Sequence, residues 1–318
     1  MEAHPKIVIF GFWPELSLPT VPIFKYLSQK YGAIILTELF METHIDLIIT
    51  SVFGNIPAHL HNVPTLLMAF EDYNRWKIQY NNPYPLDVDY AIVNNNPENI
   101  PFNQKRLQKA IFMSLAALWH HPLSREPLYF EQGRKNLSLK DKTEFCSFVV
   151  GNGTMTDEGV KYRTELFQAL NSVKHVHSRG GFMNNSPTGE KAPMDKRAHQ
   201  EWNRKYKYSI CMENMFQECY ITEKLLLPYK SGSIPIYHMH ESFEPWLNPD
   251  AMINTRDKTY QDVVDEIMDL EANPAKYEAK LRAAPFVGNK IPAPFDINEA
   301  YKIIDEVMDF VGFSKKFL

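Results

Sequence analysis

Near-continuous apolar runs rich in β-branched residues restrict the fold of this 318-residue chain more than any other feature. A strand that is apolar on both faces must be covered on both faces, as in a parallel sheet that lies between layers of helices. Such runs occupy residues 6–13, 33–38, 45–54, 65–72 and 88–95 in the first half, and residues 144–152, 175–181, 207–214, 233–238 and 251–255 in the second. The pattern predicts an α/β fold with two parallel sheets.

Helical segments lie between these strands and indicate two domains. Apolar residues recur at helical spacing in residues 21–32, 159–173, 221–232, 260–284 and 297–313, and Gly32 is the expected C-cap of the first segment. The chain is longer than one hydrophobic core usually serves. We expect a Rossmann-like domain over residues 1–140, a second over 141–295, and a last helix within 296–318 that packs back on the first domain. Ligands of such domains bind in the cleft between them, outside the carboxyl ends of the strands.

The charge and the cysteine content exclude several classes of protein. A net charge of −4 and a pI near 6.3 leave no basic face for nucleic acid, so an anionic ligand must be held by a few placed cations. The three cysteines, Cys146, Cys211 and Cys219, lack Cys-x-x-Cys spacing, which argues against a disulfide framework or a structural zinc site. The first residues lack the layout of a secretion signal, so we expect a cytoplasmic protein with at most peripheral membrane contact.

The common motifs for dinucleotides, for P-loop phosphates and for metals do not occur. Gly11 stands alone after the first strand, where a dinucleotide-binding domain has Gly-x-Gly-x-x-Gly, and no Gly-x-x-x-x-Gly-Lys-Ser/Thr is found. The pairs His120 with His121 and His238 with His240 have no carboxylate or cysteine at metal-ligand spacing. We therefore predict no metal site and no tightly bound cofactor.

The stretch CYITEKLLLPYKSGSIPIYH, residues 219–238, carries the strongest chemical signal. Thr222 is a candidate N-cap that leaves Glu223 and Lys224 in the first turn of a helix. The partial positive charge of a helix start favours Glu223 but not Lys224, whose placement a bound phosphate explains. A carboxylate accepts hydrogen bonds from a ribose diol, and an ammonium binds phosphate oxygens. The alternative is a solvated ion pair beside Tyr220 in the core.

The longer motif SICMENMFQECYITEKLLLPYKSGSIPIY resembles the signature of the α-1,3-fucosyltransferase family, in which Phe-Glu-Asn-Ser, a short loop and Tyr-Val-Thr-Glu-Lys precede a strand with a central proline. The matching residues are Glu213, Asn214, Tyr220, Ile221, Thr222, Glu223, Lys224 and Pro235. With looser matches the resemblance covers roughly residues 5 to 275. It implies the GT-B fold, in which two Rossmann-like domains face each other across a cleft. The acceptor then lies on the N-terminal domain and GDP-fucose on the C-terminal one.

The resemblance also implies roles for single residues. It places Arg163, Asn185, Glu213, Asn214, Tyr220, Thr222, Glu223 and Lys224 in the donor site. Arg163 and Lys224 neutralise the diphosphate in that assignment, and Glu223 binds the ribose hydroxyls. Glu71, at the end of a strand, matches the carboxylate proposed as general base. Its neighbour Asp72 and the donor-site Glu213 are alternatives for that role.

These roles imply an inverting α-1,3-fucosyltransferase of the bacterial type. Its acceptor is then a GlcNAc hydroxyl of an N-acetyllactosamine-type oligosaccharide or lipopolysaccharide, in 1,3 or 1,4 linkage, and two cations replace a metal. Departures from the family leave two alternatives open: another nucleotide-sugar glycosyltransferase with a drifted donor, or a GT-B scaffold that binds without turnover. The departures are Met212 for Phe, Met215 for Ser, Cys219 for Asp or Gly, and Arg179 for Gly. Pro228 also lies inside the signature helix, which is then kinked or starts later.

Overall fold

A computed structural model describes residues 4–12, 21–38, 44–73, 85–114, 137–151, 153 and 155–313. Spatial contacts divide the chain into two compact units, residues 1–125 with 293–318, and residues 126–292. The predicted boundaries at 140 and 295 stay predictions, because residues 115–136 lie outside the described residues, as do His120 and His121. No helix of the described ranges has both the length and the hydropathy needed to cross a membrane.

The secondary structure confirms the predicted α/β class. The strands of the described residues are β1 (Lys6–Phe10), β2 (Ile34–Leu36), β3 (Leu47–Thr50), β4 (Thr65–Ala69), β5 (Tyr90–Val93), β6 (Lys109–Phe112), β7 (Glu144–Phe148), β8 (Val176–Ser178), β9 (Tyr206–Ile210), β10 (Ile234–Tyr237) and β11 (Ile253–Asn254). The α-helices within the described ranges are α1 (Pro22–Tyr31), α2 (Glu158–Val173), α3 (Lys196–Asn203), α4 (Glu223–Ser231), α5 (Tyr260–Ala272), α6 (Pro274–Arg282) and α7 (Ile297–Phe310).

The first unit contains a parallel sheet of six strands in the order β2-β1-β3-β4-β5-β6. The four residues of β3, the five of β4 and the four of β5 are all buried, as the continuous apolar runs predict. The edge strand β6 is not predicted from the sequence, because its side chains are only partly covered and its apolar run is short. The two parallel sheets confirm the central expectation for the fold.

Helix α7 packs on α1 inside the first unit. Apolar side chains of α7, among them Ile303, Ile304 and Val307, join the core that also holds Phe24 and Leu27 of α1. At the rim of this core Asp305 accepts hydrogen bonds from the hydroxyls of Tyr26 and Tyr31 at 2.8 and 2.6 Å and from the Lys30 ammonium at 2.8 Å. Three donors from one face of α1 thus fix the position of α7.

The second unit contains a parallel sheet of five strands in the order β11-β10-β9-β7-β8. Among the described residues, β7 is the first strand of this unit along the chain. The next strand, β8, lies on one side of β7, and the following strand, β9, lies on the other side. The order of the strands therefore reverses between β7 and β9. In open α/β sheets ligands bind at the carboxyl ends of the strands at such a switch point.

Some helix predictions need correction. The predicted continuous helix over residues 260–284 is wrong, since α5 ends at Ala272 and α6 begins at Pro274. Proline has no backbone N–H and its ring disfavours helical backbone at the residue before it, here Asn273. In the first unit the predicted helix over residues 21–32 is confirmed as α1, and the described residues after β3 and β5 include short 3-10 turns, Ala58–Leu60 and Pro97–Asn99. The predicted C-cap Gly32 is confirmed by its φ of 62°.

Candidate active site

A cavity of about 320 Å³ opens at the switch point of the second sheet. Residues that follow β7 and residues at the end of β9 form its floor, and α2, α3 and α4 contribute its walls. The lining residues are Val149, Val150, Gly151, Arg163, His199, Asn203, Ser209, Ile210, Cys211, Met212, Asn214, Glu223, Lys224, Leu227 and Pro228. Four of the predicted donor-site residues are in this set: Arg163, Asn214, Glu223 and Lys224.

Glu213 anchors the start of α4 from behind the cavity wall. Its carboxylate is only 2% exposed. Oε1 accepts hydrogen bonds from the backbone N–H of Thr222 at 2.7 Å and from the Thr222 hydroxyl at 2.8 Å. Thr222 is the N-cap of α4, as predicted, and its Oγ1 faces the N–H of Lys224 at 3.5 Å. Because the carboxylate is buried and used in these bonds, Glu213 is poorly placed to take a proton from a substrate.

Lys224 connects this anchor to the cavity. Its Nζ lies 3.1 Å from Oε2 of Glu213, 3.0 Å from Oγ1 of Thr222 and 3.8 Å from Oε1 of Glu223. Burial alone lowers the pKa of the ammonium, but Glu213 and Glu223 outweigh it, so the pKa lies above its ordinary value. The side chain is 28% exposed, so a fully charged cation remains in reach of a ligand at neutral pH.

Arg163 brings a second cation to the cavity from α2. It is 1% exposed, and its Nη1 donates a hydrogen bond to the carbonyl of Met212 at 3.1 Å. A guanidinium is weakly hydrated and keeps its charge when it is buried, which suits this position better than an ammonium. Two cations on different helices therefore line one cavity, in a chain whose net charge is negative.

Gly159, in the first turn of α2, lets the helix approach the loop that carries Glu213 and Asn214. A Cβ atom at this position would lie 2.2 Å from the carbonyl oxygen of Glu213 and 2.8 Å from the carbonyl of Asn214. The Gly159 N–H donates to that Asn214 carbonyl at 2.9 Å. The absence of a side chain here thus sets the distance between Arg163 and the Glu213 loop.

We expect Gly159→Ala to destabilise the protein by about 1–3 kcal/mol, because helix α2 and the loop that carries Glu213 must move apart to admit the methyl group. Thermal or urea unfolding measures this, and nucleotide affinity should fall in parallel. Gly181→Ala is the matched control, because a Cβ there has only ordinary contacts, the nearest at 3.7 Å. Equal stabilities of the two variants would show that the close approach is unimportant.

The other predicted donor-site residues lie away from the cavity lining of the described residues. Tyr220 is 5% exposed and precedes the N-cap by two positions. Asn185 is occupied elsewhere: its Nδ2 donates to the Val176 carbonyl at 2.7 Å, and its Oδ1 accepts from Ser178 N–H and from the Arg179 guanidinium at 3.0 and 2.8 Å. Asn185 and Arg179 thus hold the end of β8 together. Their predicted roles toward the donor stay predictions.

The structure shows the backbone conformation at two of the departures from the signature. Cys219 has a φ of 55°, a left-handed conformation that Gly and Asp adopt more readily than Cys, so the family residues named for this position suit its backbone. Its N–H donates to Oγ of Ser242 at 3.1 Å, which holds the turn in place. Pro228 lies within α4, and the helix still starts at Glu223, so the expectation of a later start is wrong.

The first unit carries the predicted base and its alternative at the carboxyl end of β4. Asp72 is fully buried and accepts a hydrogen bond from Nδ2 of Asn95 at 3.0 Å. Oδ1 of the same Asn95 accepts from the Tyr73 N–H at 3.0 Å. Both bonds tie the segment after β4 to the end of β5. Glu71 is only half-buried, so of the two neighbouring carboxylates it is the one that a substrate can reach.

Two residues of the cavity wall on α3, His199 and Asn203, were not predicted from the sequence. His199 and Asn203 are four residues apart, and this spacing places both side chains on one face of the helix. Asp195 is the N-cap of α3 and accepts from the N–H of Ala198 at 2.9 Å. An Asp followed by a His-x-x-x-Asn pair was the available signal. Within the described ranges no cluster of three or more His, Cys, Asp or Glu side chains is arranged to hold a metal ion.

The second unit is similar to a known family of proteins. Residues 139–282 match the model described as glycosyltransferase family 10 (fucosyltransferase) C-term. The chain is 30% identical over 137 residues to the alpha-(1,3)-fucosyltransferase FucT of Helicobacter pylori, which covers 43% of this chain and 26% of that protein. It is 38% identical over 74 residues to GDP-fucose protein O-fucosyltransferase 3 of Xenopus laevis, or 23% and 16% of the two lengths. The chain thus matches only about a quarter or less of these relatives.

Comparison with solved structures extends the likeness to the whole fold. A crystal structure of alpha1,3-fucosyltransferase with GDP-fucose is similar with a TM-score of 0.68 and 21% identity, over 100% of this chain and 93% of that one. A putative UDP-N-acetylglucosamine 2-epimerase from Listeria monocytogenes gives a TM-score of 0.50 at 10% identity, over the full length of both. At these identities the likeness concerns the fold. It confirms the predicted GT-B class, and the family model confirms the resemblance drawn from the sequence over residues 139–282.

Proposed function

We propose that this chain, whose residues 139–282 match the model of glycosyltransferase family 10 (fucosyltransferase) C-term, transfers L-fucose from GDP-fucose to a sugar hydroxyl. The observation that supports this most is the cavity at the switch point, where Arg163 and Lys224 bring two cations together. A nucleoside diphosphate is the ligand that this charge, at this place in an α/β sheet, suits best. The curated relatives that match part of this chain carry the names of fucosyltransferases.

The donor is bound by its diphosphate in this proposal. The planar fork of Arg163 can contact two phosphate oxygens at once, and Lys224 supplies a point charge from the start of α4. Free backbone N–H groups of that helix start favour an anion. Glu223 lies beside Lys224 in the same turn and lines the cavity, and we propose that its carboxylate accepts hydrogen bonds from the ribose hydroxyls.

The same groups assist the chemical step. As the bond between fucose and the diphosphate breaks, negative charge grows on the leaving group, and fixed cations stabilise it in the transition state. This role otherwise belongs to a divalent metal, so we propose that none is essential. We further propose an inverting displacement, in which Glu71 removes the proton of the attacking hydroxyl because a neutral sugar hydroxyl is a poor nucleophile. Asp72, which is fully buried, supports the segment instead.

The acceptor we propose is a GlcNAc hydroxyl of an N-acetyllactosamine-type oligosaccharide or lipopolysaccharide, in 1,3 or 1,4 linkage, and the cytoplasm is the proposed location. A second candidate acceptor is a protein hydroxyl, since part of the chain matches a protein O-fucosyltransferase. A drifted donor and a scaffold without turnover remain rivals, because Met215, Cys219 and Arg179 depart from the family signature.

A transfer assay separates these possibilities. GDP-fucose, UDP-GlcNAc and CMP-sialic acid are each offered with type 1 and type 2 disaccharides and with a Ser/Thr peptide, and products are weighed by mass spectrometry. We expect fucose on a type 2 acceptor at a rate that EDTA does not change. Transfer only from another donor would overturn the choice of GDP-fucose, and tight GDP binding without any product would favour the scaffold. Activity that EDTA abolishes and Mg²⁺ restores would contradict the role of the two cations.

A further inference from the structure

The α3 wall of the cavity offers hydrogen-bond acceptors, in contrast to the cations on α2 and α4. The side chains of His199 and Asn203 on α3 and of Ser209 on β9 line this part, together with Leu227 and Pro228. Apolar surface beside a few polar groups is the usual environment of a flat ring, while the cationic side holds phosphate. The hydrogen atoms in this wall can be assigned by counting donors and acceptors.

His199 presents an acceptor. Its Nδ1 lies 3.2 Å from the carbonyl oxygen of Pro193, and because a carbonyl only accepts, Nδ1 carries the proton. Burial lowers the pKa of the ring although the bond to Pro193 opposes it, so the imidazole is neutral at pH 7. Nε2 then carries a lone pair, and no bond to it is found among the described residues. The ring packs edge-on against Trp202, with centroids 5.7 Å apart, which fixes its orientation.

Ser209 presents a second acceptor. The Ser147 hydroxyl lies 2.6 Å from Oδ1 of Asn203 and 3.0 Å from the Ser209 hydroxyl. Oδ1 can only accept, so Ser147 donates to Asn203. The same Ser147 hydroxyl is oriented as a donor toward the Ser209 oxygen, which accepts. A hydroxyl oxygen has two lone pairs, so Ser209, which lines the cavity, keeps one for an N–H donor of a ligand.

We propose that His199 and Ser209 bind the nucleobase and select guanine, through acceptors for its ring N1–H and its 2-amino group. Among the common bases only guanine carries these two kinds of N–H donor on neighbouring atoms. Uracil has a single ring N–H, and adenine and cytosine have an amino group without one. This inference rests on the proposed function for the ligand class, a nucleoside diphosphate, and adds how the base is recognised.

Calorimetric binding of three diphosphates to the full chain tests the pair of contacts. GDP carries both donors, IDP lacks the 2-amino group, and 1-methyl-GDP lacks the ring N–H. The unmodified protein should bind GDP about tenfold more tightly than either analogue, as one hydrogen bond is worth. In His199→Phe, GDP should weaken by a similar factor, and one of the two analogues should then bind as well as GDP. Ser209→Ala should do the same for the other analogue.

Three controls protect this test. His199→Gln keeps an acceptor near the position of Nε2 and should restore much of the preference. His175→Phe changes an exposed histidine outside the cavity lining and should leave all three affinities unchanged. Thermal unfolding without nucleotide identifies a variant that has simply lost its fold. If both GDP preferences survive in His199→Phe and in Ser209→Ala while fucose transfer continues, this inference is wrong and the proposed function stands. If the preference for GDP depends on the two residues but no fucose is transferred, the inference about guanine stands and the proposed fucose transfer is wrong.

Discussion

Glu71→Gln should lower kcat for fucose transfer by about a hundred- to ten-thousandfold, because the amide cannot accept the proton of the attacking hydroxyl. The substitution keeps the size and shape of the half-buried side chain and one acceptor oxygen, so the fold should be unaffected. The proposed donor site lies in the second unit, so calorimetry should show an unchanged affinity for GDP. Initial rates at saturating donor and acceptor measure the loss.

Asp72→Asn is the control for that experiment. The two carboxylates are neighbours in sequence, but Asp72 is fully buried and accepts from Asn95 at 3.0 Å, a bond that an asparagine oxygen also accepts. Its rate should stay within a few-fold of the unmodified protein. A large loss in Asp72→Asn with a normal rate in Glu71→Gln would transfer the role of base to Asp72. Normal rates in both would remove carboxylate base catalysis at this site.

Lys224→Met should lower kcat/KM by about a hundred- to thousandfold and weaken GDP binding by about ten- to a hundredfold. Methionine keeps most of the apolar length of the side chain but lacks the charge that, in the proposed function, contacts the diphosphate in the ground state and as it leaves. The larger effect on rate than on affinity reflects the charge that develops on the leaving group. Product assays and calorimetry with GDP measure the two effects separately, and guanosine, which lacks phosphate, should bind both proteins equally.

A possible loss of stability must be separated from the loss of phosphate contact. Lys224→Met leaves the buried Glu213 carboxylate without its ammonium partner at 3.1 Å, and the bonds from Thr222 alone then stabilise it. The double variant Lys224→Met with Glu213→Gln removes that unpaired charge and should recover stability but not GDP affinity. Lys230→Met, in the last turn of the same helix, should change neither. Full GDP affinity in Lys224→Met would contradict the proposed phosphate contact.

Local signals in the sequence predicted what depends on neighbours along the chain. Thr222 is an N-cap because Ser, Thr, Asp and Asn hold free N–H groups, and that places Glu223 and Lys224 in the first turn. The buried strands were equally clear, because few other structures cover a run such as Leu47–Thr50 on both faces. These elements need only short-range information.

The remainder depends on contacts between distant residues. The bonds from Glu213 to Thr222 join residues nine positions apart through a loop whose path the sequence does not specify. His199 and Ser209 line one cavity although they belong to different elements, α3 and β9, and a single sequence does not specify how these elements pack. The break at Pro274 was predictable and was overlooked, since the apolar spacing continues on both sides of it.

The position of α7 near the end of the sequence affects the order in which the two units can fold during synthesis. Asp305 and its apolar neighbours on α7 complete a core whose other residues come before residue 126 in the sequence. The ribosome therefore synthesises the whole second unit, residues 126–292, before α7 can complete this core. The second unit, in contrast, is contiguous and can mature as soon as it emerges. Until α7 is synthesised, the apolar side chains of Phe24 and Leu27 on α1 are exposed, and chaperones can bind them.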